Sequence, residues 1–418
     1  MFDPIKASKE IKDSYIDYIT TTFDMADTDY EREFRKELQT DGMVASGPFL
    51  DIGGSYETGH TLRELIQAQK ASVLFESLEP VAEKERELKL DRPLYQHQET
   101  AMLKAGKGEN LVITTGTGSG KTESFLLPII NHLLREQEAG TLSAGVRAII
   151  IYPMNALAND QMKRMRALFK NYPQICYGVY NGNTEHTQSK ALAEYHRTYH
   201  DETGEPTDPA PNEIISREVM QERPPHILIT NYSMLEYMML RPKDDAVFSG
   251  AKLKFIVLDE AHIYKGATGM ETSLLMRRLR ARISEPDSVQ YILTSATLGG
   301  PDADGDILSF AEKLCGVAFQ RSGIIRSTEK RPAMEDFLDF APALFEELQR
   351  SPDISSVLDR YHADFAPGGS EDEKLYALFL HSRLFALLRK VAHQPITVAQ
   401  LCQALSEICP MTNEQVIA

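Results

Sequence analysis

The seven residues Gly116-Thr117-Gly118-Ser119-Gly120-Lys121-Thr122 constrain this chain more than any other feature of its sequence. They follow the apolar run LVITT (111–115) and lead into ESFLLPIINHLL, whose apolar residues recur at helical spacing. A glycine-rich turn between a strand and a helix lets successive backbone N–H groups point at phosphate oxygens. The helix N-terminus adds its positive dipole end. Thr117, Gly118, Ser119 and Gly120 are therefore the expected cradle, with Lys121 reaching the β- and γ-phosphates and the Thr122 hydroxyl ligating magnesium. The strict pattern wants glycine where Thr115 stands, but the glycines nearest the phosphates are in place. The predicted ligand is ATP with Mg²⁺.

FIVLDEAH supplies the second half of such a site. An apolar strand ends in Asp259-Glu260-Ala261-His262, which puts two carboxylates at the carboxyl end of a parallel strand, where α/β folds bind ligands. Asp259 is expected to hold Mg²⁺, often through water, and Glu260 to orient or deprotonate the attacking water. Alone, such a pair more often caps a helix; with a phosphate loop upstream, the chemistry implied is nucleotide hydrolysis.

The rest of the chain predicts the frame around these residues. The runs LVITT (111–115), AIIIY (148–152), ICYGVY (175–180), HILIT (226–230), FIVLD (255–259) and YILTS (291–295) read as strands alternating with amphipathic helices. Several are apolar throughout, as parallel strands covered on both faces are. The expected fold class is α/β: one phosphate-loop domain with a parallel sheet over 91–328, carrying an exposed polar insertion at about 183–222. Residues 1–90 read as acidic helices (roughly 8–40 and 61–88) around the loop GPFLDIGGSYETGHT, and 329–418 as an all-helical unit.

The net charge of −16 excludes a global electrostatic pull towards nucleic acid, so any such contact must be local. The segment RRLRAR (277–282) offers a basic helix face, although most such faces are only solvated surface. No run of about 18 apolar residues occurs, and the N-terminus lacks the apolar stretch of a signal peptide. Four scattered cysteines without a CxxC point to reduced thiols rather than a zinc or iron–sulfur site. A soluble, cytoplasmic protein without membrane contact is expected.

Five short motifs, in order and at the ends of successive predicted strands, resemble those of superfamily 2 DEAD/DEAH-box helicases. The phosphate loop is followed by YPMNALANDQ (152–161), similar to motif Ia, and TNYSML (230–235), similar to motif Ib. DEAH (259–262) is similar to motif II and TSAT (294–297) to motif III. The resemblance implies a RecA-like domain in which Gln98 reads the adenine edge. It also implies that Asn155, Ala156, Thr230 and Asn231 grip the backbone of single-stranded nucleic acid, with DNA expected. His262, Ser295 and Thr297 would couple the γ-phosphate to domain movement. More narrowly, TTGTGSGKTESFLLP, PPHILITNYSMLEYMMLRP and DEAHIYKGATGMETSLLMRRLR resemble the large bacterial helicases related to the mitomycin-repair helicase. That branch has members in DNA repair and anti-phage defence.

A motor of that superfamily closes two RecA-like domains on its nucleotide, the second supplying an arginine finger within a QxxGRxGR-like stretch. None follows Leu298. The expectation is an N-terminal motor half whose second RecA-like domain lies in a further part of the polypeptide or in another subunit, and which alone is nearly inactive. A non-catalytic ATP-binding scaffold or regulatory subunit stays open as the alternative. An unrelated phosphate-loop kinase would leave motifs Ia, Ib and III unexplained.

Overall fold

In the computed structural model, the residues described are 4–408 apart from 24, 41, 51–55, 80–87, 117, 201–203, 297–298, 300, 331–336 and 393–394. The chain divides into two units, Tyr56–Glu329 and a second made of Met1–Ser55 with Lys330–Ala418. The first segment of the latter holds α1 (Pro4–Thr22), α2 (Thr28–Gln39) and β1 (Phe49–Leu50). The single helical stretch expected over 8–40 is two helices. Asp27 breaks it by capping the second, its carboxylate accepting from the Asp29 N–H at 2.8 Å.

The unit Tyr56–Glu329 opens with β2 (Thr58–Thr61), the short helix α3 (Leu62–Gln67) and β3 (Pro93–Tyr95), which pairs antiparallel with β2. It continues through α4 (Gln96–Gly106), β4 (Leu111–Thr114), α5 (Lys121–Glu138), β5 (Ala148–Ile151), α6 (Asn155–Phe169) and β6 (Tyr177–Tyr180). Then come α7 (Gln188–Thr198), α8 (Arg217–Glu222), β7 (Ile227–Thr230), α9 (Tyr232–Leu240), α10 (Asp245–Phe248) and β8 (Phe255–Leu258). The unit closes with α11 (Gly266–Arg282), β9 (Gln290–Ser295), α12 (Asp304–Cys315) and β10 (Ile324–Arg326).

Its seven-stranded sheet has the order β10-β4-β9-β8-β5-β7-β6, with every pairing parallel. Strands β5, β7, β8 and β9 are buried at every residue. The reason is that both faces are covered, so neither set of alternating side chains can be polar. Leu111, Ile113 and Ile150 join one core with Phe125, Ile129 and Leu133 of α5. Val112, Ile149 and Ile151 join the opposite core with Leu235 of α9 and Leu275 and Leu279 of α11. Each fully buried side chain of this size contributes about 1.5–3 kcal/mol.

Three features depart from the sequence reading. First, the boundary expected at residue 90 falls inside the Tyr56–Glu329 unit, because β2 pairs with β3 and Thr58 opposes Tyr95. Over 61–88 the helix is limited to α3 and a 3₁₀ segment, Val73–Leu78, with 80–87 outside the described residues. Second, the segment 183–222, expected as an exposed insertion, is exposed only in part among its described residues. Its helices α7 and α8 pack down, and Ala191, Tyr195, Ile214 and Met220 are buried. Asn212 fixes it to the body by donating to the carbonyls of Phe169, Tyr172 and Ile175. Third, β10 adds an edge strand beside β4 that only three residues announce.

The second unit ends in α13 (Pro342–Arg350), α14 (Ile354–Arg360), α15 (Glu371–His381), α16 (Arg383–Val391), β11 (Ile396–Thr397) and α17 (Val398–Ile408). It is helical as expected apart from β11, which pairs with β1 so that Phe49 faces Thr397. Leu344, Leu348, Val357, Leu358 and Leu378 form its core.

Candidate active site

Parallel pairing in register brings the loops that follow five strands to one edge. Thr114 lies beside Ser295, Leu258 beside Leu293, and Ile151 beside both Leu258 and Thr230. The phosphate loop, the DEAH segment, the TSAT segment and the starts of α6 and α9 therefore meet there.

The loop itself needs glycine twice. Gly118 and Gly120 both have φ of +73°, the left-handed region that favours glycine. A side chain on Gly120 would collide with the Gln98 amide, whereas nothing stands within 4 Å of where one on Gly118 would begin. Ser119 is buried, and its hydroxyl donates to the Gly116 carbonyl at 2.8 Å and lies 2.7 Å from Thr115 Oγ1. The threonine that departs from the strict pattern thus helps to hold the loop. The N-cap of α5 is Gly120, which has no side chain to cap the helix, and this suits the first-turn N–H groups to an anion. Thr122 sits in that turn; Thr117 lies outside the described residues.

Gln98 is turned to the loop. Its Oε1 accepts from the Tyr95 N–H at 2.9 Å, and its Nε2 donates to the Gly120 carbonyl at 3.1 Å. A neighbour that sequence reasoning passed over, His97, also grips the loop: Nε2 lies 2.9 Å from the Ser119 carbonyl. Burial pushes the His97 pKa down, so the neutral ring donates this hydrogen bond. Its ring stacks on Tyr95, with centroids 5.6 Å apart, and meets the edge of Tyr56. An ordinary YQHQ string carries no signal for this role.

Lys121 Nζ lies 3.0 Å from Glu260 Oε1. Glu260 occupies the left-handed region at φ +48°, a conformation that costs a non-glycine residue energy and clusters at functional sites. Thr294 links the two carboxyl residues: its hydroxyl donates to Asp259 and accepts from the Glu260 N–H at 3.2 Å. Burial raises the Asp259 pKa, and the Thr294 hydrogen bond opposes the shift. His262 Nδ1 stands 3.2 Å from Ser295 Oγ and 3.3 Å from Glu260 Oε2. Thr297 lies outside the described residues.

At the neighbouring part of the edge, Asn231 Nδ2 donates to Asn155 Oδ1 at 2.8 Å, while Asn231 Oδ1 caps α9 at 2.7 Å. Ala156 is exposed in the first turn of α6. Thr230 differs from expectation: it is buried and its hydroxyl donates to the Tyr180 carbonyl at 2.7 Å, fastening β7 to β6. The RRLRAR face is occupied by local partners, with Arg278 on Glu236, Arg280 on Asp287 and Arg282 on Asp245. A further pair, Glu123 in the first turn of α5 and Arg164 on α6, joins the loop helix to the helix that starts at Asn155.

The model for the DEAD/DEAH box helicase family matches residues 95–304. The Druantia protein DruE of Escherichia coli is 34% identical over an alignment covering 78% of this chain and 22% of that protein. ATP-dependent helicase HRQ1 of Saccharomyces cerevisiae is 29% identical over 50% of this chain and 16% of its own length. A solved structure of the DUF1998 helicase MrfA bound to DNA superposes with a TM-score of 0.47 and 22% identity, over 70% of this chain and 31% of that one. The chain thus spans about a fifth of the curated relatives it matches. With half its length, the phosphate loop and the DEAH segment included, inside that family model, the chain belongs to the DEAD/DEAH box helicases.

Proposed function

We propose that this chain is the ATP-binding half of an ATP-dependent nucleic-acid helicase or translocase that runs on single strands, with DNA as the expected track. One observation carries the reading: a single sheet edge presents the phosphate loop, the Asp259–Glu260 pair and the starts of α6 and α9 side by side. Lys121 and the N–H groups of 118–122 bind the triphosphate. Glu260 orients the attacking water, its Oε2 standing 3.3 Å from His262 Nδ1. Ser295 and His262, bonded to each other beside Glu260, report the phosphate state.

The donor set also fits magnesium. Thr122 in the first turn of α5 and Asp259 just after β8 offer hard oxygen ligands, and they would hold the ion, which supplies charge neutralisation at the phosphates. Asn155, Ala156 and Asn231 take the backbone of the strand. An arginine for the transferring phosphate comes, in this reading, from a second RecA-like domain. The cellular setting is cytoplasmic phage defence or DNA repair, which the sequence resemblance and the similarity to DruE support.

The deciding experiment compares ATP turnover by the natural full-length protein with that of residues 1–418, with and without single-stranded DNA. The full-length form should be stimulated, whereas 1–418 should be slower by about 10³–10⁵ for lack of the opposing arginine. Robust DNA-stimulated turnover by 1–418 would refute the need for a second domain. A full-length form that hydrolyses nothing on any strand would favour the scaffold instead.

A further inference from the structure

The residue after the Gly-Lys-Thr of the loop is an acid. Glu123 stands in the first turn of α5, two positions beyond Lys121, where a bound triphosphate would place its negative charge. With the loop empty, the dipole of α5 favours a carboxylate there. With phosphates bound, the same carboxylate is repelled by them, and the arrangement holds only if a cation neutralises it. That cation comes from another helix: Arg164 of α6 bonds Glu123 Oε1. The pair is partly sheltered, with side chains 24% and 31% exposed, so water screens it less than a surface pair.

Two details tie this contact to the site on one side and to the strand-gripping edge on the other. The second oxygen of Glu123 is buried without a hydrogen-bond partner, and it lies 3.2 Å from where a side chain on Gly120 would begin. Glu123 therefore lies against Gly120, the last glycine of the loop. Arg164 belongs to α6, whose first residue is Asn155, roughly 13 Å away along the axis at about 1.5 Å per residue. Tyr152, just before α6, has a buried hydroxyl without a hydrogen-bond partner and feels the charges of both Asp259 and Arg164. A helix of this length moves as a rigid body, so what fixes Arg164 also fixes Asn155.

We propose that Glu123 and Arg164 form a positioning pair that couples triphosphate binding at the loop to strand gripping at the start of α6. The inference rests on the helicase reading and adds a direction to it. Triphosphate charge increases the need for Arg164 beside Glu123, which holds α6 and Asn155 in the gripping position. By thermodynamic linkage, a bound strand must strengthen triphosphate binding by the same factor.

The test uses the natural full-length protein and a fluorescein-labelled oligothymidylate. Its affinity is read by anisotropy without nucleotide and with a saturating non-hydrolysable ATP analogue and magnesium. Wild type should bind more tightly with the analogue, by on the order of tenfold, the usual scale of such coupling. Glu123→Gln, Arg164→Gln and the double variant should each reduce that gain to about threefold or less. The double should be no worse than either single, as expected of residues acting as one unit. Arg164→Lys, which keeps the charge, should retain most of the gain. It also serves as the readout if Arg164→Gln fails to fold. Variants that keep the full wild-type gain, or singles whose effects simply add, would overturn the coupling role. Wild type that binds no strand under either condition would overturn the helicase reading itself, a result distinct from an unaltered gain.

Discussion

Lys121 Nζ rests 3.0 Å from Oε1 of Glu260, so the cation expected to hold phosphate is tied to the carboxylate expected to orient water. In the proposed reaction, a triphosphate entering the loop takes Lys121 from Glu260, and the same step frees Glu260 for water. Lys121→Ala should therefore remove nucleotide binding, while Glu260→Gln should bind at least as tightly as wild type and lose turnover. Loss of a positioned base costs about 10²–10⁴ in rate. Titration with a fluorescent ATP analogue and steady-state hydrolysis in the full-length protein check both. A Glu260→Gln rate within twofold of wild type would remove the catalytic assignment.

Asp259 gives a prediction of opposite sign for stability and function. Burial raises its folded pKa, so the folded state holds a proton that the unfolded chain releases. Stability contributed by this group therefore falls as pH rises from the unfolded carboxyl range through the raised folded value. At neutral pH the buried charge is a burden that magnesium would relieve. Asp259→Asn should raise the melting temperature without nucleotide by about 2–4 °C, the shift that ~1 kcal/mol gives a domain of this size. It should also abolish any further stabilisation by ATP and magnesium. Thermal melts in both conditions decide it, and a fall in melting temperature for Asp259→Asn would contradict the argument.

His97 and His226 are both buried, and burial lowers the pKa of each. The unfolded chain then binds protons that the folded chain refuses. The stability concerned is fully present above about pH 6.5 and is lost as pH falls below it. Melting temperature should decline between pH 7.5 and 5.5 in wild type, and less so in His97→Gln. The glutamine should also loosen the Ser119 carbonyl and weaken nucleotide binding by about tenfold, as loss of one hydrogen bond does. An unchanged pH slope in His97→Gln would mean that the histidine does not carry the effect.

Arg147 is fully buried, with Nε 2.9 Å from Glu136 Oε2 and further bonds to the Gly145 and Ser143 carbonyls. Removing it leaves the Glu136 carboxylate with only His132 beside it, 3.4 Å away, and takes a donor from the Gly145 and Ser143 carbonyls. Arg147→Ala should cost about 3–5 kcal/mol in denaturant unfolding. A loss under about 1 kcal/mol would show the site to be hydrated.

Asn231 separates structure from strand binding. Asn231→Asp keeps an oxygen for the Met234 N–H that caps α9, so stability should hold. The added charge faces the proposed phosphate path and should weaken single-strand binding by about tenfold at low salt, less at high salt. Anisotropy across a salt series with strands of several sequences checks this. Wild-type binding itself should be weak and only modestly salt-sensitive, because few phosphates are neutralised by so acidic a chain. Strong preference for one sequence would argue for base readout and against the track.

What the sequence determined by itself is what short-range physics can encode. A glycine turn between an apolar strand and a helix has few conformations, so the strand–turn–helix from β4 through Gly118 and Gly120 into α5 was legible without a fold. Strands apolar on both faces read directly as buried parallel strands, which is why all six expected strands lie in one sheet. Contacts between residues distant in sequence were decided only by the tertiary structure. The order β10-β4-β9-β8-β5-β7-β6 places Thr294 against Asp259, although nothing near Asp259 in the chain announces the pairing. His97 on Ser119, Arg164 on Glu123 and the burial of Thr230 against Tyr180 are of the same kind. The polar segment 183–222 misled for that reason as well. Its buried Glu213 is paired with Arg166 across the fold, and local polarity cannot tell a paired charge from a solvated one.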